Sequence, residues 1–511
     1  MQRIVKCRRW ICVLFAALFL IAAFPVFAQS DRMQWWREAR FGMFIHWGPV
    51  SIKGTEIGWS RGGERRGIGG TGEIPVDVYD NLYKEFNQTE FDAREWVSIA
   101  KRAGMKYLVF TTRHHDGFSM FDTAYSDYKI TNSPFKRDVV AEIAQACHDA
   151  GMRLGFYYSP PDWHHPDYGT ENHARYIAYL HGQIRELLTN YGRIDGLWFD
   201  LGGKPSDWDS EKLFRMMRTL QPWLIVNNRC GLPGDFDTPE QRLGSFELKR
   251  PWETCMTLNT QWSWRPNDEV KSLKQCIDVL VTCAGRNGNL ALNTGPMPDG
   301  RIEPRQAARF REIGDWLKRH GRSIFATRGG PFWGLDFAST RKDNTIFVHV
   351  LKWHGDRVLL PPMGKKIVAS SLLGGGTATV RQTGDQIEIR VPREHRRELD
   401  TIVELTLDGP AGEIQPAQIL SDSLTFNKKV AVSSVYPDPV GQQYLPAFAV
   451  DGDPESGWTF APNIKSAWLE VDLGKPCTFD AAEIHERYDR IRGFRLQAKQ
   501  EGRWTTICEG P

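Results

Sequence analysis

Short apolar segments alternate with segments of helical periodicity between residues 33 and 325. Continuous apolar runs bounded by polar residues or Gly predict buried strands, and they fall at Phe41–Trp47, Tyr107–Arg113, Arg153–Ser159, Gly196–Leu201, Trp223–Asn228 and Asn289–Thr294. Between them, apolar residues recur at helical spacing in Ala93–Ala103, Val139–Ala150, Glu171–Tyr191 and Pro304–His320. Strands near 244–257 are harder to place, because Trp252, Glu253 and Cys255 mix polar and apolar positions. This alternation favours an α/β fold with a (β/α)8-like TIM barrel over an open doubly wound sheet.

After Gly321 the pattern changes to short alternating segments, which predict antiparallel strands. These segments are Thr345–Leu351, Lys366–Leu372, Thr377–Gln382 and Gln386–Val391, and they end near Leu407. They indicate a β-sandwich after the barrel. A connector with Pro and Gly, residues 409–416, then leads to a third segment. We therefore expect a leader over 1–28, a barrel over 29–325, a β-sandwich over 326–410 and a further domain over 411–511.

The N-terminus is typical of a secretory signal peptide. Four basic residues precede an apolar run, Trp10–Phe24, and small residues surround an expected cleavage site after Ala28. The apolar run is short for a membrane span, although an uncleaved anchor is the alternative. No Cys follows it where a lipoprotein would need one. We expect export without a membrane span in the mature protein, to the periplasm or the medium, or to a lysosome if the source is eukaryotic.

Net charge and Trp content limit the classes of molecule that the protein is expected to bind. Removing the four basic residues of the leader changes the formal net charge from +3 to about −1, so nucleic acids and membrane surfaces are poor candidates. The seven remaining Cys residues are odd in number and widely spaced, which argues against a disulfide framework or a zinc knuckle. The 19 Trp residues favour carbohydrate, because apolar sugar faces stack on aromatic rings.

Two carboxylates follow predicted barrel strands. Asp200 lies at the C-terminal end of the run Gly196–Leu201, just before Gly202 and Gly203, and Glu240 lies in a polar stretch beyond the strand Trp223–Asn228. Barrel active sites are built at the C-terminal ends of the strands. Two carboxylates supplied there are the minimum equipment for cleaving a glycosidic bond. The structural alternative is that Asp200 caps the helix that follows.

Other polar side chains also fall at predicted strand ends. They include His46, His114, His115, the run Tyr157-Tyr158-Ser159, Trp198 and the run Asn227-Asn228-Arg229. Neighbouring residues on a strand face opposite ways, so His114 and His115 point into one site only if the strand has already ended. Each residue alone is more often structural, but their coincidence at one barrel edge favours a functional site.

Rival chemistries have weaker support in the sequence. A metal could use His46, His114, His115 and Asp200, but the first strand has no His-x-His and no late strand offers a clear carboxylate ligand. We therefore predict no metal. No Gly-x-Gly-x-x-Gly directly follows an early predicted strand, so dinucleotide binding loses its main support. No predicted strand leads directly into a Gly-x-Ser-x-Gly nucleophile elbow either, so a nucleophilic serine is a weak candidate.

Five ordered blocks resemble the α-L-fucosidases of glycoside hydrolase family 29. They are Phe-Gly-Met-Phe-Ile-His-Trp-Gly at 41–48, Thr-Arg-His-His-Asp-Gly-Phe at 112–118, Gly-Phe-Tyr-Tyr-Ser at 155–159, Leu-Trp-Phe-Asp at 197–200 and Gly-Asn-Leu-Ala-Leu-Asn-Thr-Gly-Pro at 288–296. The resemblance covers about residues 33–407. It implies a retaining exo-glycosidase that releases L-fucose from fucosylated glycans without a metal or organic cofactor. A non-catalytic carbohydrate-binding protein and a glycosidase for a related sugar are the alternatives.

The resemblance also implies roles for individual residues. Asp200 matches the nucleophile, and Glu240 in Thr238-Pro239-Glu240 matches the general acid/base of the most similar subgroup. Glu253 is the second candidate for that role and a candidate substrate contact. The expected sugar contacts are His46, Trp59, His114, His115, Tyr158, Trp198 and Arg229. Where many relatives carry Glu-Trp-Tyr, this chain has Glu56-Ile57-Gly58-Trp59-Ser60, so either Glu56 reaches into the site or an auxiliary carboxylate is missing.

The third segment resembles a discoidin-type (F5/8 type C) β-sandwich. Ala449-Val450-Asp451-Gly452-Asp453, Gly457-Trp458 and Trp468-Leu469-Glu470-Val471-Asp472-Leu473-Gly474 carry this resemblance. Such domains are found in carbohydrate-binding proteins. The segment is short for the domain, which leaves missing final strands or a truncated sequence as two open readings.

Overall fold

The structure, a computed structural model, describes residues 32–246, 250–334, 336–418, 424–437, 444–451, 456–479, 482, 484, 486, 491–500 and 502–510. The predicted leader, residues 1–28, lies outside them. In the described ranges no helix is long and apolar enough to cross a membrane. The chain divides into two compact units, residues 1–419 and residues 420–511.

The first unit begins with a curled parallel sheet and its helices. The strands are β1 Phe41–Ile45, β2 Tyr107–Arg113, β3 Arg153–Tyr158, β4 Gly196–Phe199, β5 Ile225–Val226, β6 Glu253–Thr257 and β7 Asn289–Thr294. The helices are α1 Gln34–Ala39, α2 Val76–Tyr79, α3 Ala93–Arg102, α4 Val139–Ala150, α5 His173–Thr189, α6 Pro205–Trp208, α7 Ser210–Leu220, α8 Leu273–Gly285 and α9 Pro304–His320. The α/β fold class is therefore confirmed.

The strand order is β5-β4-β3-β2-β1-β7-β6, with all neighbouring strands parallel. In this order each strand from β1 to β5 pairs with its sequence neighbour, as in a barrel. The predicted strand Trp223–Asn228 shortens to β5, because Trp223 is 36 % exposed and Asn227 turns its side chain to the backbone of Phe199. β6 lies in the stretch 244–257, where the sequence pattern left the strands hard to place.

A segment between β5 and β6, residues 236–241, connects the two edge strands. Phe236 bridges to Asn227, which follows β5 directly. Asp237 bridges to Trp252, which precedes β6, and Glu240 bridges to Cys255 within β6. All three bridges are parallel. The segment thus occupies the eighth strand position and closes the seven-stranded sheet into a barrel.

Two apolar layers lie on opposite sides of the parallel strands. One cluster lines the barrel interior and includes Phe44, Tyr107, Tyr157, Trp198 and Cys255. The other packs strands against helices and includes residues of the opposite strand parity, such as Ile45, Leu108, Phe156, Tyr158 and Leu197. Burial on both faces explains why these strands are nearly continuous apolar runs.

A mainly antiparallel region completes the first unit. Its strands are β8 Arg328–Trp333, β9 Phe337–Lys342, β10 Thr345–Val350, β11 Arg357–Leu360, β12 Ile367–Leu372, β13 Thr379–Gln382, β14 Ile387–Arg390, β15 Thr401–Leu407 and β16 Ala417–Gln418. They form a six-stranded sheet, β12-β15-β10-β9-β8-β16, and a three-stranded sheet, β11-β14-β13. Among the described strands of this region, only β16 pairs in parallel, with β8. Alternate residues of both sheets, such as Ile346, Val348, Ile387 and Ile389, share one apolar core. Two sheets with a common core match the predicted β-sandwich.

The second unit contains two antiparallel strand pairs in its described residues. β17 Lys429–Val432 pairs with β18 Leu469–Asp472, and β19 Phe494–Gln500 pairs with β20 Arg503–Gly510. Trp458 donates its indole N–H to the carbonyl of Ser434, and Ser456 bonds the carboxylate of Asp451. The Trp and Asp of the discoidin-like motif are therefore structural contacts within this unit.

Candidate active site

Asp200 lies directly after β4, where four groups surround its carboxylate. Oδ1 accepts from the backbone N–H of Leu201 and from Nη1 of Arg229, both at 2.7 Å. Oδ2 accepts from the hydroxyl of Tyr157 at 2.8 Å and lies 3.4 Å from Nε2 of His115. The next helix begins after Lys204, so Asp200 does not cap it. The capping alternative is therefore wrong, and Asp200 is a carboxylate held at the C-terminal barrel face.

The surroundings of Asp200 keep it ionised. Burial alone would raise its pKa, but His115 and Arg229 outweigh burial and hold the pKa well below its usual range. Arg229 responds in the opposite sense, because Asp200 and Glu240 together overcome burial and raise the pKa of the guanidinium above its usual value. The pair is thus a carboxylate and a cation throughout the range in which enzymes work.

Arg229 also holds Glu240. Its Nη1 lies 2.7 Å from Oε2 of Glu240, and the same nitrogen lies 2.7 Å from Oδ1 of Asp200. These two carboxylate oxygens are therefore no more than twice 2.7 Å apart. Arg229 is itself fixed by Thr238, which accepts from Nε at 2.9 Å and, through its carbonyl, from Nη2 at 2.7 Å. The Glu240 side chain is 40 % exposed, so it borders the open side of the site.

Three histidines lie beside this carboxylate pair. His46 follows β1, and His114 and His115 follow β2, which ends at Arg113. Because the strand has ended, both neighbouring histidines can face the site. The His114 ring stacks parallel to Tyr157 with centroids 5.5 Å apart, and it lies 5.7 Å from the ring of His46.

Burial keeps two of these histidines neutral. It lowers the pKa of His46 to about 4, although a hydrogen bond with Asn293 opposes the shift. Burial, with a smaller contribution from the neighbouring histidines, also holds the pKa of His114 well below its usual value. A neutral imidazole has one donor and one acceptor nitrogen, which suits the binding of sugar hydroxyl groups.

Aromatic rings form the walls around the histidines. Trp198 stacks on Tyr157 with centroids 5.7 Å apart, and the guanidinium of Arg229 lies 4.9 Å from the Trp198 ring. Trp59 meets His115 edge-on at 5.5 Å. The predicted contacts His46, Trp59, His114, His115, Trp198 and Arg229 are therefore brought together with Asp200 and Glu240.

Tyr158 is not part of this group, which corrects the expectation that it contacts the sugar. Its hydroxyl donates to Gln183 at 2.8 Å, and its ring packs under the guanidinium of Arg113. It is fully buried in the layer between strands and helices. Its neighbour Tyr157 occupies the site instead, because adjacent residues of β3 face opposite sides of the sheet.

Glu253 is also absent from the accessible site. It is 1 % exposed and begins β6, at the opposite end from the strand C-termini. Its carboxyl group accepts from the indoles of Trp36 and Trp198 at 3.3 and 3.1 Å and from the hydroxyl of Tyr107. Burial raises the pKa of Glu253 to about 7 against the effect of these donors. Its assignment as acid/base or substrate contact is therefore wrong: it supports Trp198 from inside the barrel.

Glu56 does not reach the carboxylate pair either. Its side chain accepts from the backbone N–H groups of Trp262 and Ser263 at 2.9 and 3.2 Å. Burial raises the pKa of Glu56, although the N–H groups of Trp262 and Ser263 oppose the shift. Of the two readings of this loop, the structure favours the one without an auxiliary carboxylate in the site.

Three further residues of the site are not among the contacts that the family resemblance predicted, although Tyr157 was noted as a strand-end residue. Tyr157 donates to Asp200, Asn293 bonds Nδ1 of His46 at 2.7 Å, and Trp262 packs on the His46 ring at 4.8 Å. Asn293 also donates to the carbonyl of Trp262 at 2.7 Å. The position of Asn293 near the end of β7 was a signal for it, whereas Trp262 lies in a loop without any local signal.

His114, His115 and Asp200 also form a cluster with the spacing of a metal site. One ligand atom from each lies within 4.8 Å of the others. Both oxygens of Asp200 already accept hydrogen bonds, one from Tyr157 and one from the cationic Arg229. A divalent cation would face this guanidinium with one carboxylate as its only anionic ligand, so the donor set fits a metal poorly.

Comparisons with known proteins identify the chain. The family model for α-L-fucosidase matches residues 26–322, and the F5/8 type C domain matches residues 429–510. Human plasma α-L-fucosidase is 29 % identical over 415 residues, covering 71 % of this chain and 88 % of that protein. α-L-Fucosidase isoenzyme 1 from Paenibacillus thiaminolyticus is 36 % identical with a TM-score of 0.68, covering 75 % of this chain and all of that chain.

A trapped covalent intermediate bears on the chemistry of the family. It is a mutant α-L-fucosidase of glycoside hydrolase family 29 from Bacteroides thetaiotaomicron in complex with 2-fluoro-fucosyl fluoride. Its chain is 27 % identical with a TM-score of 0.65, covering 74 % of this chain and 96 % of that chain. The family model spans more than half of the sequence. The chain therefore belongs to the α-L-fucosidases of glycoside hydrolase family 29 and carries an F5/8 type C domain near its C-terminus.

Proposed function

We propose that this protein is a retaining exo-α-L-fucosidase that hydrolyses terminal α-L-fucosyl linkages of glycans through a fucosyl-enzyme on Asp200. The observation that carries the proposal is the shared contact of Asp200 and Glu240 with one nitrogen of Arg229. Retaining glycosidases hold their two carboxyl groups about 5–5.5 Å apart, whereas inverting enzymes leave roughly 6.5–9.5 Å for a water. An upper limit of twice 2.7 Å supports retention.

In the first step, an ionised Oδ of Asp200 attacks the anomeric carbon while the bond to the leaving oxygen breaks. Glu240 donates its proton to that oxygen, so the alcohol leaves neutral and Glu240 becomes a carboxylate. The depressed pKa of Asp200 supports its role, since the nucleophile must be unprotonated. Tyr157 and Arg229 hold Asp200 and orient its oxygens.

In the second step, Glu240 removes a proton from a water that attacks the same carbon. The ester bond to Asp200 breaks, fucose leaves with its original anomeric configuration, and Glu240 regains its proton. The neutral imidazoles of His46 and His114 bind sugar hydroxyl groups in both steps. The aromatic walls of Trp198 and Trp59 suit the apolar face of the sugar.

The first test is release of 4-nitrophenol from 4-nitrophenyl α-L-fucoside, with and without EDTA. Wild type should turn over equally in both, and Asp200→Asn should lose nearly all turnover while keeping its circular dichroism spectrum. Asp209→Asn is the matched control, because it removes an exposed carboxylate at the junction of α6 and α7, nine residues further along the chain. Near-normal activity of Asp200→Asn would reject the nucleophile, and loss of wild-type activity in EDTA would reject a metal-free mechanism.

Stereochemistry provides a second test. Proton NMR of early product should show α-L-fucose, and azide should rescue Asp200→Ala with β-L-fucosyl azide as product. Formation of β-L-fucose by wild type would mean inversion. A folded wild type without turnover but with glycan binding would instead mean a carbohydrate-binding protein.

We also propose that the protein is exported, with its leader removed after Ala28, and that it acts on fucosylated oligosaccharides or glycoconjugates. The basic and apolar pattern of the first residues supports export. Mass spectrometry of the protein purified from its native source tests this point. A mature N-terminus at Gln29 supports cleavage, and an intact Met1 or Gln2 start would contradict it.

A further inference from the structure

Asp116 follows the two histidines of the site but takes no part in the proposed chemistry. It is 2 % exposed, and its Oδ1 accepts from the backbone N–H of Phe118 at 3.2 Å. Its Oδ2 accepts from the hydroxyl of Tyr79 at 2.7 Å. Burying a carboxylate is costly, so a buried carboxyl group beside an active site needs a reason for its presence.

Tyr79 extends this contact to the loop that carries Trp59. The Tyr79 oxygen accepts from the backbone N–H of Gly58 at 2.8 Å. The Tyr79 phenol has one hydroxyl proton, which it donates in the hydrogen bond to Asp116. Its oxygen can therefore accept a hydrogen bond from Gly58. The direction of the chain of hydrogen bonds is therefore set: Gly58 donates to Tyr79, and Tyr79 donates to Asp116.

Gly58 sits directly against the histidine pair. Its φ is +67°, and a Cβ there would lie 2.5 Å from Nδ1 of His114 and 3.5 Å from Cβ of His115. A residue with a side chain would push the loop away from these imidazoles. The next residue, Trp59, has ring contacts with His115 at 5.5 Å and Trp163 at 5.3 Å. The position of Gly58 thus sets how closely Trp59 approaches the site.

A second tether holds the same loop three residues later. Arg61 makes a paired salt bridge to Asp80, with Nε and Nη2 each 2.7 Å from a carboxylate oxygen. Asp80 is the residue after Tyr79, so α2 and the residue that follows it hold the loop at two points. The Tyr79 ring is kept in place separately by an apolar cluster with Val50, Ile57 and Leu82.

We propose that Tyr79 and Asp116 are positioning residues, which hold Gly58 against His114 and thereby fix Trp59 at the fucose subsite. This inference rests on the proposed function, because it assigns Trp59 and His114 to the binding of the sugar. Neither Tyr79 nor Asp116 touches the substrate. Their effect is to keep the loop 57–61 closed on the histidine pair.

Tyr79→Phe is the cleanest test, since it removes one oxygen and keeps the ring in its apolar cluster. We expect Gly58 and Trp59 amides to exchange hydrogen faster in a peptide that spans 57–61. We expect KM for 4-nitrophenyl α-L-fucoside to rise roughly tenfold, the equivalent of one lost hydrogen bond, with a smaller change in kcat. Asp116→Ala removes the acceptor for the Tyr79 hydroxyl and should raise KM for the fucoside in the same way. Asp116→Asn keeps an acceptor and should have a KM much closer to that of wild type.

Tyr128→Phe is the matched control. Tyr128 is also a buried tyrosine near Asp116, but in the described chain its hydroxyl has no hydrogen-bond partner. Its removal should change neither KM nor the exchange of residues 57–61. The two kinetic results separate a positioning role from a general loss of stability, which would lower the melting temperature of Tyr79→Phe and leave KM unchanged.

Each outcome decides the inference. Unchanged exchange in Tyr79→Phe would reject the hydrogen-bonded relay, and faster exchange with an unchanged KM would reject its role in binding. If wild type has no turnover, the dissociation constant for L-fucose, measured by calorimetric titration, is compared between the variants instead of KM. If wild type neither hydrolyses the fucoside nor binds L-fucose, the proposed function and the binding role fail together, while hydrogen exchange still tests the relay itself.

Discussion

Asp200 and Glu240 each place a carboxylate oxygen 2.7 Å from the same nitrogen of Arg229. In the proposed mechanism this arrangement balances one negative charge at every stage. Asp200 carries that charge before attack, and Glu240 carries it once Asp200 has become an ester and the acid has given up its proton. Arg229 remains beside whichever carboxylate is charged, so no stage leaves an unpaired cation or two unpaired anions.

Replacing Arg229 should therefore affect both carboxylates. We expect Arg229→Gln to lower kcat/KM by at least about 100-fold, comparable to the loss of one fixed electrostatic donor from an active site. Loss of the cation also removes a group that depresses the Asp200 pKa. Since Asp200 must be ionised, the acid limb of the kcat/KM profile should move to higher pH. Arg229→Lys keeps the charge and should shift the acid limb less. If the acid limb of the kcat/KM profile lies at the same pH in wild type and Arg229→Gln, this role of Arg229 is contradicted.

The two neighbouring tyrosines of β3 provide a paired test of side-chain direction. Tyr157→Phe removes a donor to Asp200, and we expect a loss of about 10–100-fold in kcat/KM, the range for a hydrogen bond to a charged group. Tyr158→Phe removes a bond to Gln183 in the outer layer and should cost about 1 kcal/mol of folding free energy. Its kinetics should stay near wild type. Steady-state rates and denaturant unfolding of both variants check the assignment, and the reverse pattern would overturn it.

Glu240 should matter most for poor leaving groups. Glu240→Gln keeps the size of the side chain and removes the transferable proton. We expect a loss of about 10²–10⁴-fold on a fucosylated oligosaccharide, the usual contribution of general acid catalysis. With 2,4-dinitrophenyl α-L-fucoside, whose leaving group needs no proton, the first step should be nearly unaffected and a burst of phenol should appear. Equal losses on both substrates would argue against Glu240 as the acid.

The raised pKa of Glu253 predicts that folding stability, rather than catalysis, depends on the titration of this residue. Its pKa is about 7 in the fold, because burial raises it, against 4.5 as the ordinary value. A carboxyl group with a raised pKa contributes stability below its unfolded pKa, and that contribution is lost as pH rises through the folded pKa. We expect about 3 kcal/mol to be lost between pH 4.5 and 7.

Glu253→Gln should remove this part of the pH dependence, since its amide does not titrate. The measurement is urea unfolding of wild type and Glu253→Gln at pH 5 and at pH 7.5. The free energy of unfolding of Glu253→Gln, relative to that of wild type, should be higher at pH 7.5 than at pH 5. A constant difference at both pH values would show that the group does not titrate in this interval.

Much of the barrel was readable from local pattern. β2, β7, α4 and α9 have the bounds that hydrophobic periodicity predicts, because helical and buried-strand spacing depends on residues close in sequence. β6 was not readable, since it begins with the buried, polar Glu253. That side chain is tolerated only because Trp36, Tyr107 and Trp198 converge on it from three other parts of the chain.

Local pattern also could not decide which neighbour of a pair faces the site. Tyr157 and Tyr158 are the same residue type at adjacent positions, and both are buried. Their roles differ because the lumen of the closed barrel lies on one side of β3 and the helix layer on the other. The family motif alone pointed to Tyr158, and the curvature of the sheet assigns the contact with Asp200 to Tyr157.

By itself the sequence determined the strand–helix alternation of the barrel, the family and the strand-end positions of Asp200 and the three histidines. Tertiary structure alone decided how Glu240 reaches Asp200, because Glu240 belongs to no strand that local periodicity specifies. Its segment is held by bridges to Asn227 on one side and to Trp252 and Cys255 on the other. Such bridges are long-range pairings between edges that exist only once the sheet has curled, so no local stretch of sequence encodes them.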